Sequence, residues 1–273
     1  MNSFFFSLIL CVYGKRTVYQ KFLNSLKKQT FKDFEIVIIN QNKYPLIIPK
    51  GISNPIKILT SKPGLSVSRN LGIRFSDAKY LAFPDDDCEY FPETLAIVHR
   101  EIRKRRTEIV SGTTVDKKQK FTLLKFPKKD KFLNKLDIIR YINSVSFFIK
   151  NKKKIKFDEN FGLTDKSLIS GEETDFILTY LKKFKTKIFY TPKIQIYHKD
   201  ATFHFKNKKN KLKTFYYGKG FKRVMFKHKL YLFFILAIVK NLLSLVLSVL
   251  LFKKNISIKL IYSLRGKLSK WKF

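Results

Sequence analysis

Acidic residues are scarce in this chain. Its 273 residues include 20 aspartates and glutamates against 57 lysines and arginines, which gives a formal net charge of +37. From Ala201 to the end of the sequence there is no acidic residue at all. Such a chain is attracted to phosphate, whether in nucleic acid, a lipid surface or a nucleotide, and charge alone does not choose among these. The change of composition predicts a boundary near residue 201.

Cysteine is also rare, since only Cys11 and Cys88 are present. Two cysteines exclude a disulfide framework and fit a reducing compartment, with each thiol buried in a strand. The opening apolar segment lacks the preceding basic residues of a signal peptide, so Phe4–Cys11 is predicted to be a buried strand. Apolar residues make up 45% of the chain, which is enough for a core and excludes a disordered protein.

Strand and helix patterns alternate through the first third of the chain. The β-branched run "FEIVII" suits a buried parallel strand, "KYLAF" is predicted as another strand, and Pro92–Arg106 is predicted as a helix that begins with proline. Further on, "SVSFFIK", "KIFYT" and "IQIYH" are predicted as strands, and Phe176, Tyr180 and Phe184 mark one face of a helix. This order predicts an α/β, doubly wound, mostly parallel central sheet.

Three consecutive carboxylates follow a strand in "YLAFPDDDCEY". Because alternate residues of a strand face the same way, Asp85 and Asp87 are expected to direct their carboxylates toward one point past the carboxyl end of that strand. Mg²⁺ or Mn²⁺ is commonly held by one or two carboxylates together with phosphate oxygens and water. The alternative is a solvated acidic turn before the helix that starts near Pro92.

Four segments occur in an order that resembles family 2 glycosyltransferases: "SLILCVYGKR" with "LKKQTFKDFEIVIIN", "GLSVSRNLGI", "YLAFPDDDCEY" and "SGEETDFILTYLKK". These are inverting enzymes with the nucleotide-diphospho-sugar-binding fold called GT-A, found among others in bacterial surface polysaccharide and capsule synthesis. The resemblance covers roughly Ser7 to His198.

The resemblance assigns the donor side of a site. It implies that Asp85 and Asp87 form the family's Asp-X-Asp motif and bind the metal, with Asp87 as the direct ligand, and that Asp85 or Asp86 lies near the ribose. Arg69 and Asn70 would lie beside the diphosphate. Asn40 stands where the family often has an aspartate for the nucleotide base, so the base preference is not carried over.

The resemblance also assigns an acceptor side in "GEETDF". It places the catalytic base at Glu173, with Glu172 and Asp175 as close alternatives, and a carboxylate there would take the proton of the acceptor hydroxyl. The alternative is a capping box of Ser170 with Glu173 that only starts a helix. His198 resembles a family histidine that completes the metal site or orients the acceptor, and otherwise it is a surface histidine at a strand end.

The C-terminal region predicts contact with a membrane. The apolar stretch 230–252 would be about 34 Å long as a helix, enough to cross a bilayer, but Lys240 lies at its centre and recurs with Ser244 and Ser248 in a polar stripe. Insertion in the membrane plane or as a hairpin is therefore preferred over a single span. Ile256, Leu260, Leu264 and Leu268, with Trp271 nearby, predict a second helix that rests on an anionic bilayer or docks on the protein.

Together these patterns predict a GT-A catalytic domain over residues 1–200, divided into a nucleotide-sugar half (1–110) and an acceptor half (111–200), and a basic helical tail over 201–273 that associates with membranes. The predicted function is inverting, Mg²⁺- or Mn²⁺-dependent, hexosyltransferase-like transfer of a sugar from a nucleotide diphosphate to a saccharide or lipid-linked saccharide. This would occur at the cytoplasmic face of the cell membrane, and no nucleic-acid partner is expected. The rival functions are nucleic-acid binding and a non-catalytic, membrane-attached nucleotide-sugar scaffold.

Overall fold

The computed structural model describes residues 3–14, 17–152, 154–163, 168–199 and 208–270. Trp271 and the predicted boundary between residues 200 and 201 lie outside these ranges. The chain divides into two compact units: Met1–Phe157 with Phe176–Ala201, and Asp158–Asp175 with Thr202–Phe273.

The secondary structure of the described residues alternates strands and helices before it ends in a run of helices. The strands are β1 (Phe4–Val12), β2 (Phe34–Asn40), β3 (Ile56–Thr60), β4 (Ala78–Ala82), β5 (Cys88–Tyr90), β6 (Ile109–Val115), β7 (Lys131–Leu133), β8 (Phe147–Lys150), β9 (Gly162–Leu163), β10 (Leu168–Ile169) and β11 (Ile188–His198). The helices are α1 (Val18–Lys27), α2 (Leu65–Phe75), α3 (Thr94–Arg105), α4 (Lys135–Tyr141), α5 (Glu172–Phe184), α6 (Lys208–Lys227), α7 (Tyr231–Leu250) and α8 (Lys254–Leu268), with a 3₁₀ turn at Ser144–Ser146.

The first unit is built on one large sheet. Within the described residues its strands follow the order β3-β2-β1-β4-β8-β6-β11-β5, with β7 also paired to β11. The neighbours in β3-β2-β1-β4 are all parallel, as the sequence predicts. Beyond β4 the sheet is mixed, because β8 runs antiparallel to both β4 and β6, while β6 and β11 are parallel.

The α/β fold class is thus confirmed, and its core explains why the strands form where they do. Every residue of β2 is buried, and β1 is nearly so, which is typical of strands covered on both faces of a parallel sheet. The predicted first strand, Phe4–Cys11, is confirmed to within one residue. The predicted helix Pro92–Arg106 is confirmed as α3, which ends at Arg105 because Arg106 is left-handed with φ 48°.

One predicted division is wrong. "KIFYT" and "IQIYH" form a single strand, β11, rather than two short ones. Pro192 lies within it and has no N–H to donate, and the register with β6 shifts between Tyr190 and Gln195. A bulge therefore accommodates the proline, and the strand continues to His198.

The second unit contains the β9–β10 pair, the start of α5, and helices α6 to α8. Helices α6 and α8 approach closely at two glycines: a Cβ on Gly218 would lie 2.4 Å from the Ser263 carbonyl oxygen, and one on Gly266 would lie 2.0 Å from the Phe215 carbonyl oxygen. The amide of Asn241 in α7 donates to Ser263 Oγ in α8 at 3.2 Å. Of the helices described, α7 alone is long and apolar enough to cross a bilayer.

Candidate active site

The acidic loop follows the parallel strand β4. Phe83, directly after β4, is fully buried and packs edge-on against the ring of Phe157 at 5.0 Å between centroids. Phe157 in turn stacks on Phe176 at 4.0 Å. The loop turns back into β5, and the Cys88 amide donates to the Asp85 carbonyl at 3.3 Å. The packed rings of Phe83, Phe157 and Phe176 therefore support the loop at the carboxyl end of β4, where open α/β sheets bind ligands.

Strand β11 brings His198 to this loop. It pairs antiparallel with β5 in a register that sets His198 opposite Cys88. Its Nε2 lies 3.2 Å from Asp87 Oδ1 and 3.9 Å from Asp85 Oδ2. One ligand atom from each of Asp85, Asp87 and His198 lies within 4.8 Å of the other two. The structure thus brings together all three residues that the sequence predicts as metal ligands.

The chemistry of these three groups fits a divalent cation. His198 is 7% exposed, and its Nδ1 lies 2.8 Å from the Lys199 carbonyl oxygen. A proton on Nδ1 would bond that carbonyl and leave the Nε2 lone pair facing the carboxylates, as in a metal ligand oriented by a second partner. Burial alone would lower the pKa of His198, but the hydrogen bond and charge of Asp87 outweigh it and raise the pKa. The site thus attracts positive charge.

Asp86 lies between the two predicted metal-binding aspartates and is partly buried. Burial raises its pKa to about 7, and the neighbouring charges of Asp87 and Asp85 contribute in the same direction. A positive partner beside the loop would therefore favour the ionised form of Asp86 at neutral pH. This is the behaviour expected of a cation or diphosphate–cation site rather than of a solvated turn.

Arg69 and Asn70, both in α2, have different surroundings. Arg69 is 2% exposed, its Nη2 lies 3.6 Å from Asp85 Oδ1, and its guanidinium lies over the Phe157 ring. Asn70 uses both ends of its amide on the backbone of Phe157, at 3.0 and 2.8 Å. Arg69 thus lies beside the acidic loop, whereas the Asn70 contacts hold Phe157 beneath it.

Asn40 ends β2 at the same edge of the sheet. Its Nδ2 donates to the Tyr44 carbonyl at 2.8 Å, and its Oδ1 accepts from the Asn42 amide at 3.0 Å. The amide side chain thereby shapes the loop that follows β2. Contact between Asn40 and the nucleotide base stays a prediction.

The predicted base residues open α5 in the second unit. Gly171 precedes the helix with φ +100°, which favours glycine, and its carbonyl accepts the first helical bond from the Asp175 amide at 2.9 Å. Gly171 rather than Ser170 therefore occupies the N-cap position, and Glu173 is not three residues beyond it as a capping box requires. Glu172 is buried and Glu173 is half-buried.

Asp175 is held by two basic side chains that the sequence did not single out. It is 2% exposed, Lys227 Nζ lies 2.8 Å from its Oδ2, and His228 Nε2 lies 2.8 Å from its Oδ1. Lys227 also binds Asp158 at 2.8 Å. Burial alone would lower the pKa of Lys227, but these two carboxylates outweigh it and raise the pKa. No sequence pattern points to this contact, because 52 residues separate Lys227 from Asp175.

The fold and this site define a class of protein. A parallel half-sheet that ends in paired aspartates, joined by a histidine from a neighbouring strand, is typical of nucleotide-diphospho-sugar-binding α/β proteins. Residues 7–228 match the model of the family described as "Glycosyl transferase family 2". The chain belongs to this family.

Individual relatives agree with this assignment. An "uncharacterized glycosyltransferase" of Haemophilus influenzae is 31% identical over 90 residues, which cover 32% of this chain and 31% of the relative. The crystal structure of S. aureus TarS 1–349 matches with a TM-score of 0.58 and 17% identity, over 81% of this chain and 63% of that one. The chain thus spans about a third of the length of the first relative and under two thirds of the second.

Two ligand-bound structures are also similar. TarS 1–349 in complex with UDP-GlcNAc matches with a TM-score of 0.57 and 18% identity, over 81% of this chain and 64% of that one. GalNAc-T7 with UDP, GalNAc and Mn²⁺ matches with a TM-score of 0.50 and 14% identity, over 72% of this chain and 44% of that one. At these identities the likeness shows the fold, and the GT-A prediction is confirmed.

Proposed function

We propose that this protein is an inverting, metal-dependent glycosyltransferase that moves a sugar from a nucleotide diphosphate to a hydroxyl of a saccharide or lipid-linked saccharide, in surface polysaccharide synthesis. The observation that carries the proposal is the convergence of Asp85, Asp87 and His198, whose ligand atoms lie within 4.8 Å of one another. Family membership supports the reaction class.

The first unit would bind the donor. Asp85, Asp87 and His198 would hold Mg²⁺ or Mn²⁺, which supplies positive charge for a leaving diphosphate. The imidazole nitrogen in this set favours Mn²⁺, because Mg²⁺ takes oxygen ligands almost exclusively. The buried Arg69 guanidinium, 3.6 Å from Asp85 Oδ1, holds that carboxylate in place and adds positive charge beside the loop. UDP is the first nucleotide to test, since one similar structure contains UDP-GlcNAc and another contains UDP.

Glu173 would be the general base. Inversion requires the acceptor oxygen to attack the anomeric carbon from the face opposite the leaving diphosphate. The C–O bond to the diphosphate breaks as the new glycosidic bond forms, and the hydroxyl proton passes to a carboxylate. Among the three candidates, Asp175 already binds Lys227 and His228, and Glu172 is buried, whereas Glu173 is half-buried in the first turn of α5. A helix N-terminus favours its ionised form.

The second unit would bring the enzyme to a membrane. It carries the apolar helix α7 and, from residue 201 onward, no acidic residue. An anionic membrane surface would attract this charge, and a lipid-linked acceptor diffuses in the plane of such a surface. We place the protein at the cytoplasmic face of the cell membrane on these grounds.

Turnover of a panel of nucleotide sugars tests the proposal. The full chain should release nucleoside diphosphate from at least one of them in the presence of Mn²⁺, and Asp87→Asn and Glu173→Gln should each lower the rate by roughly 10²-fold or more with unchanged circular dichroism. Asp116→Asn is a matched control, since Asp116 bonds backbone amides of its own turn. Donor binding without turnover, unchanged by Glu173→Gln, would favour the scaffold, and salt-sensitive nucleic-acid binding without donor binding would favour the other rival.

A further inference from the structure

Helix α7 exposes its apolar side chains, whereas an amphipathic helix of a protein in water buries them. Its exposed face is formed by large apolar residues: Tyr231, Leu232, Ile235, Leu236, Val239, Leu242, Leu243, Val246, Leu247, Val249 and Leu250. At 3.6 residues per turn these positions cover one half of the helix surface. A soluble protein rarely exposes a continuous apolar face of this length, so a solvent other than water is expected to cover it.

Two polar residues of α7, Ser248 and Asn241, face α8 instead. Ser248 is buried, its Oγ lies 2.9 Å from Ser257 Oγ in α8, and the Asn241 amide donates to Ser263 Oγ. Because position 248 meets 257 and position 241 meets 263, α8 runs antiparallel along the covered half of α7. Ser248 and Asn241 are thereby satisfied within the protein, and the apolar half of α7 remains for an outside partner.

The neighbouring helix decides how α7 can lie in a bilayer. Helix α8 exposes Lys254, Lys259 and Arg265. If α7 crossed the hydrocarbon, α8 alongside it would carry these charges to membrane depth, where charged side chains are strongly disfavoured. If α7 lies in the plane with its exposed half toward the lipid, α8 stays on the water side and its charges reach the headgroups or water.

The charges around α7 support the same orientation. Basic residues flank both of its ends, Lys227 and Lys229 before it and Lys253 and Lys254 after it. A spanning helix usually has its basic flank on one side, whereas a helix in the plane has both ends at the same anionic surface. Lys240, exposed at the middle of α7, lies at the edge of the apolar half, from where its long side chain can reach the headgroups sideways.

We propose that α7 lies in the plane of an anionic bilayer with its exposed apolar half in the lipid and α8 on its other side, and that it does not cross the bilayer. This inference rests on the proposed membrane attachment and specifies its geometry. Helices α7 and α8 then form a preformed hairpin in which α7 inserts into the lipid and α8 stays on the water side.

Depth measurements along α7 test this orientation. In the full chain with Trp271→Phe, a tryptophan is introduced singly as Leu232→Trp, Leu243→Trp or Leu250→Trp, and quenched in phosphatidylcholine–phosphatidylglycerol vesicles by lipids brominated at shallow or deep acyl positions. The proposal expects all three to be quenched most by the same shallow position. Deep quenching at 243 with shallow quenching at 232 and 250 would show a span and overturn it.

A second measurement tests the lipid itself as the partner. Vesicle flotation of the full chain should lose at least tenfold in bound fraction for the double variant Leu243→Lys with Val246→Lys, both at the centre of the apolar half. The matched control Ile58→Lys, an exposed apolar position in β3, should bind like the wild type. Absence of vesicle binding, with a mass twice that of one chain in solution, would show that a second copy covers this face and would overturn the proposal. Mn²⁺-dependent nucleotide binding in vesicle-free solution tests the proposed donor site separately, so the two failures can be told apart.

Discussion

At the scale of single residues, the behaviour of the site follows from the placement of charge. Asp85, Asp86 and Asp87 lie next to one another in a chain of net charge +37, and among the residues that the structure describes Arg69 lies beside Asp85 and His198 beside Asp85 and Asp87. The hydrogen bond and charge of Asp87 raise the pKa of His198 despite its burial, and burial raises the pKa of Asp86. A divalent cation would satisfy both tendencies at once.

Replacing His198 tests its role as a ligand. His198→Ala should lower the affinity for Mn²⁺ by about tenfold or more, because one of three protein ligands is lost. Paramagnetic relaxation of water protons during a Mn²⁺ titration measures this directly. His99→Gln is the control, since His99 packs against the rings of Phe5 and Phe31 and lies outside the metal-ligand group. Equal Mn²⁺ affinity in His198→Ala and wild type would exclude the imidazole as a ligand.

Kinetic measurements can distinguish a role of Glu173 in proton transfer from a role in donor binding. Glu173→Gln should lower kcat by about 10²–10⁴-fold and leave donor affinity within about twofold, because the amide cannot accept the proton but preserves size. Steady-state kinetics with the best donor of the panel provides the measurement. If Glu172→Gln abolishes turnover and Glu173→Gln does not, the base is Glu172.

Lys267 gives a test of stability that is independent of catalysis. It is buried in α8, and burial lowers its pKa from 10.5 to about 8. The unfolded chain therefore binds more protons than the folded one between pH 8 and 10.5, so the Lys267 contribution to stability rises with pH across that window. Lys267→Met should stabilise the protein at pH 7 by up to about 3 kcal/mol, and this advantage should shrink toward pH 10. Thermal unfolding in mild detergent at both pH values measures the difference, and an advantage that grows with pH would contradict it.

At the scale of secondary-structure elements, glycine contacts set the start of α5. A Cβ on Gly220 in α6 would lie 2.0 Å from the Ser170 carbonyl oxygen, directly before Gly171 and the predicted base. Helix α6 therefore supports the turn from which α5 begins, and Lys227 at its end binds Asp175 in the first turn of α5. Gly218 and Gly220 both lie inside α6, where Gly218 allows the close approach of α8 and Gly220 that of Ser170.

A larger side chain at Gly220 should act on catalysis through this contact. Gly220→Val is expected to displace the Ser170 carbonyl, cost about 1–3 kcal/mol in stability, and lower kcat more than donor affinity. Tyr217→Val is the control, because it introduces the same side chain at an exposed position of α6. Activity and thermal unfolding on both variants provide the comparison. Wild-type kcat in Gly220→Val would show that the start of α5 tolerates the displacement.

The elements that the sequence predicts well are those with strong local patterns. Strands β1 and β2 have continuous apolar runs, and α3 has proline near its start, so both kinds of element follow from local chemistry. β11 is not predicted as one strand because Pro192 resembles a chain break, and only the bulge against β6 shows how it is accommodated.

Within the site, the residues of one short segment are predictable and the partners brought by tertiary structure are less so. Asp85 and Asp87 are two positions apart in one short segment, and the family resemblance indicates His198. The contacts of Asp175 with Lys227 and His228 join positions more than 50 residues apart, so only folding brings them together. The side-chain amide of Asn40 bonds the backbone of Tyr44, and that of Asn70 bonds the backbone of Phe157. No pattern in the sequence predicts either hydrogen bond.

At the scale of the whole molecule, the proposed membrane binding would draw on two features, the excess of positive charge and the apolar face of α7. The charge would attract an anionic surface over a distance of about 10 Å at moderate salt, and the apolar face would then anchor the chain. Neither contribution identifies a nucleic-acid partner, and the two acidic clusters at 85–87 and 172–175 would repel one.

Salt separates the two contributions. Raising NaCl from about 50 mM to about 500 mM should weaken binding to anionic vesicles several-fold but leave a residual fraction, because salt screens charge and not apolar burial. Binding to neutral phosphatidylcholine vesicles should change little over the same range. Flotation assays measure both, and complete release from anionic vesicles at high salt would show that charge alone holds the chain.

Calorimetric titration of UDP shows whether Asp85, Asp87 and His198 hold a cation that binds the diphosphate of a donor. Mn²⁺ should strengthen UDP binding to the wild type by about tenfold or more, and Asp87→Asn should lose this gain while keeping its fold. Equal affinity with and without Mn²⁺, in both proteins and for UDP and the other nucleoside diphosphates alike, would show that these residues hold no such cation.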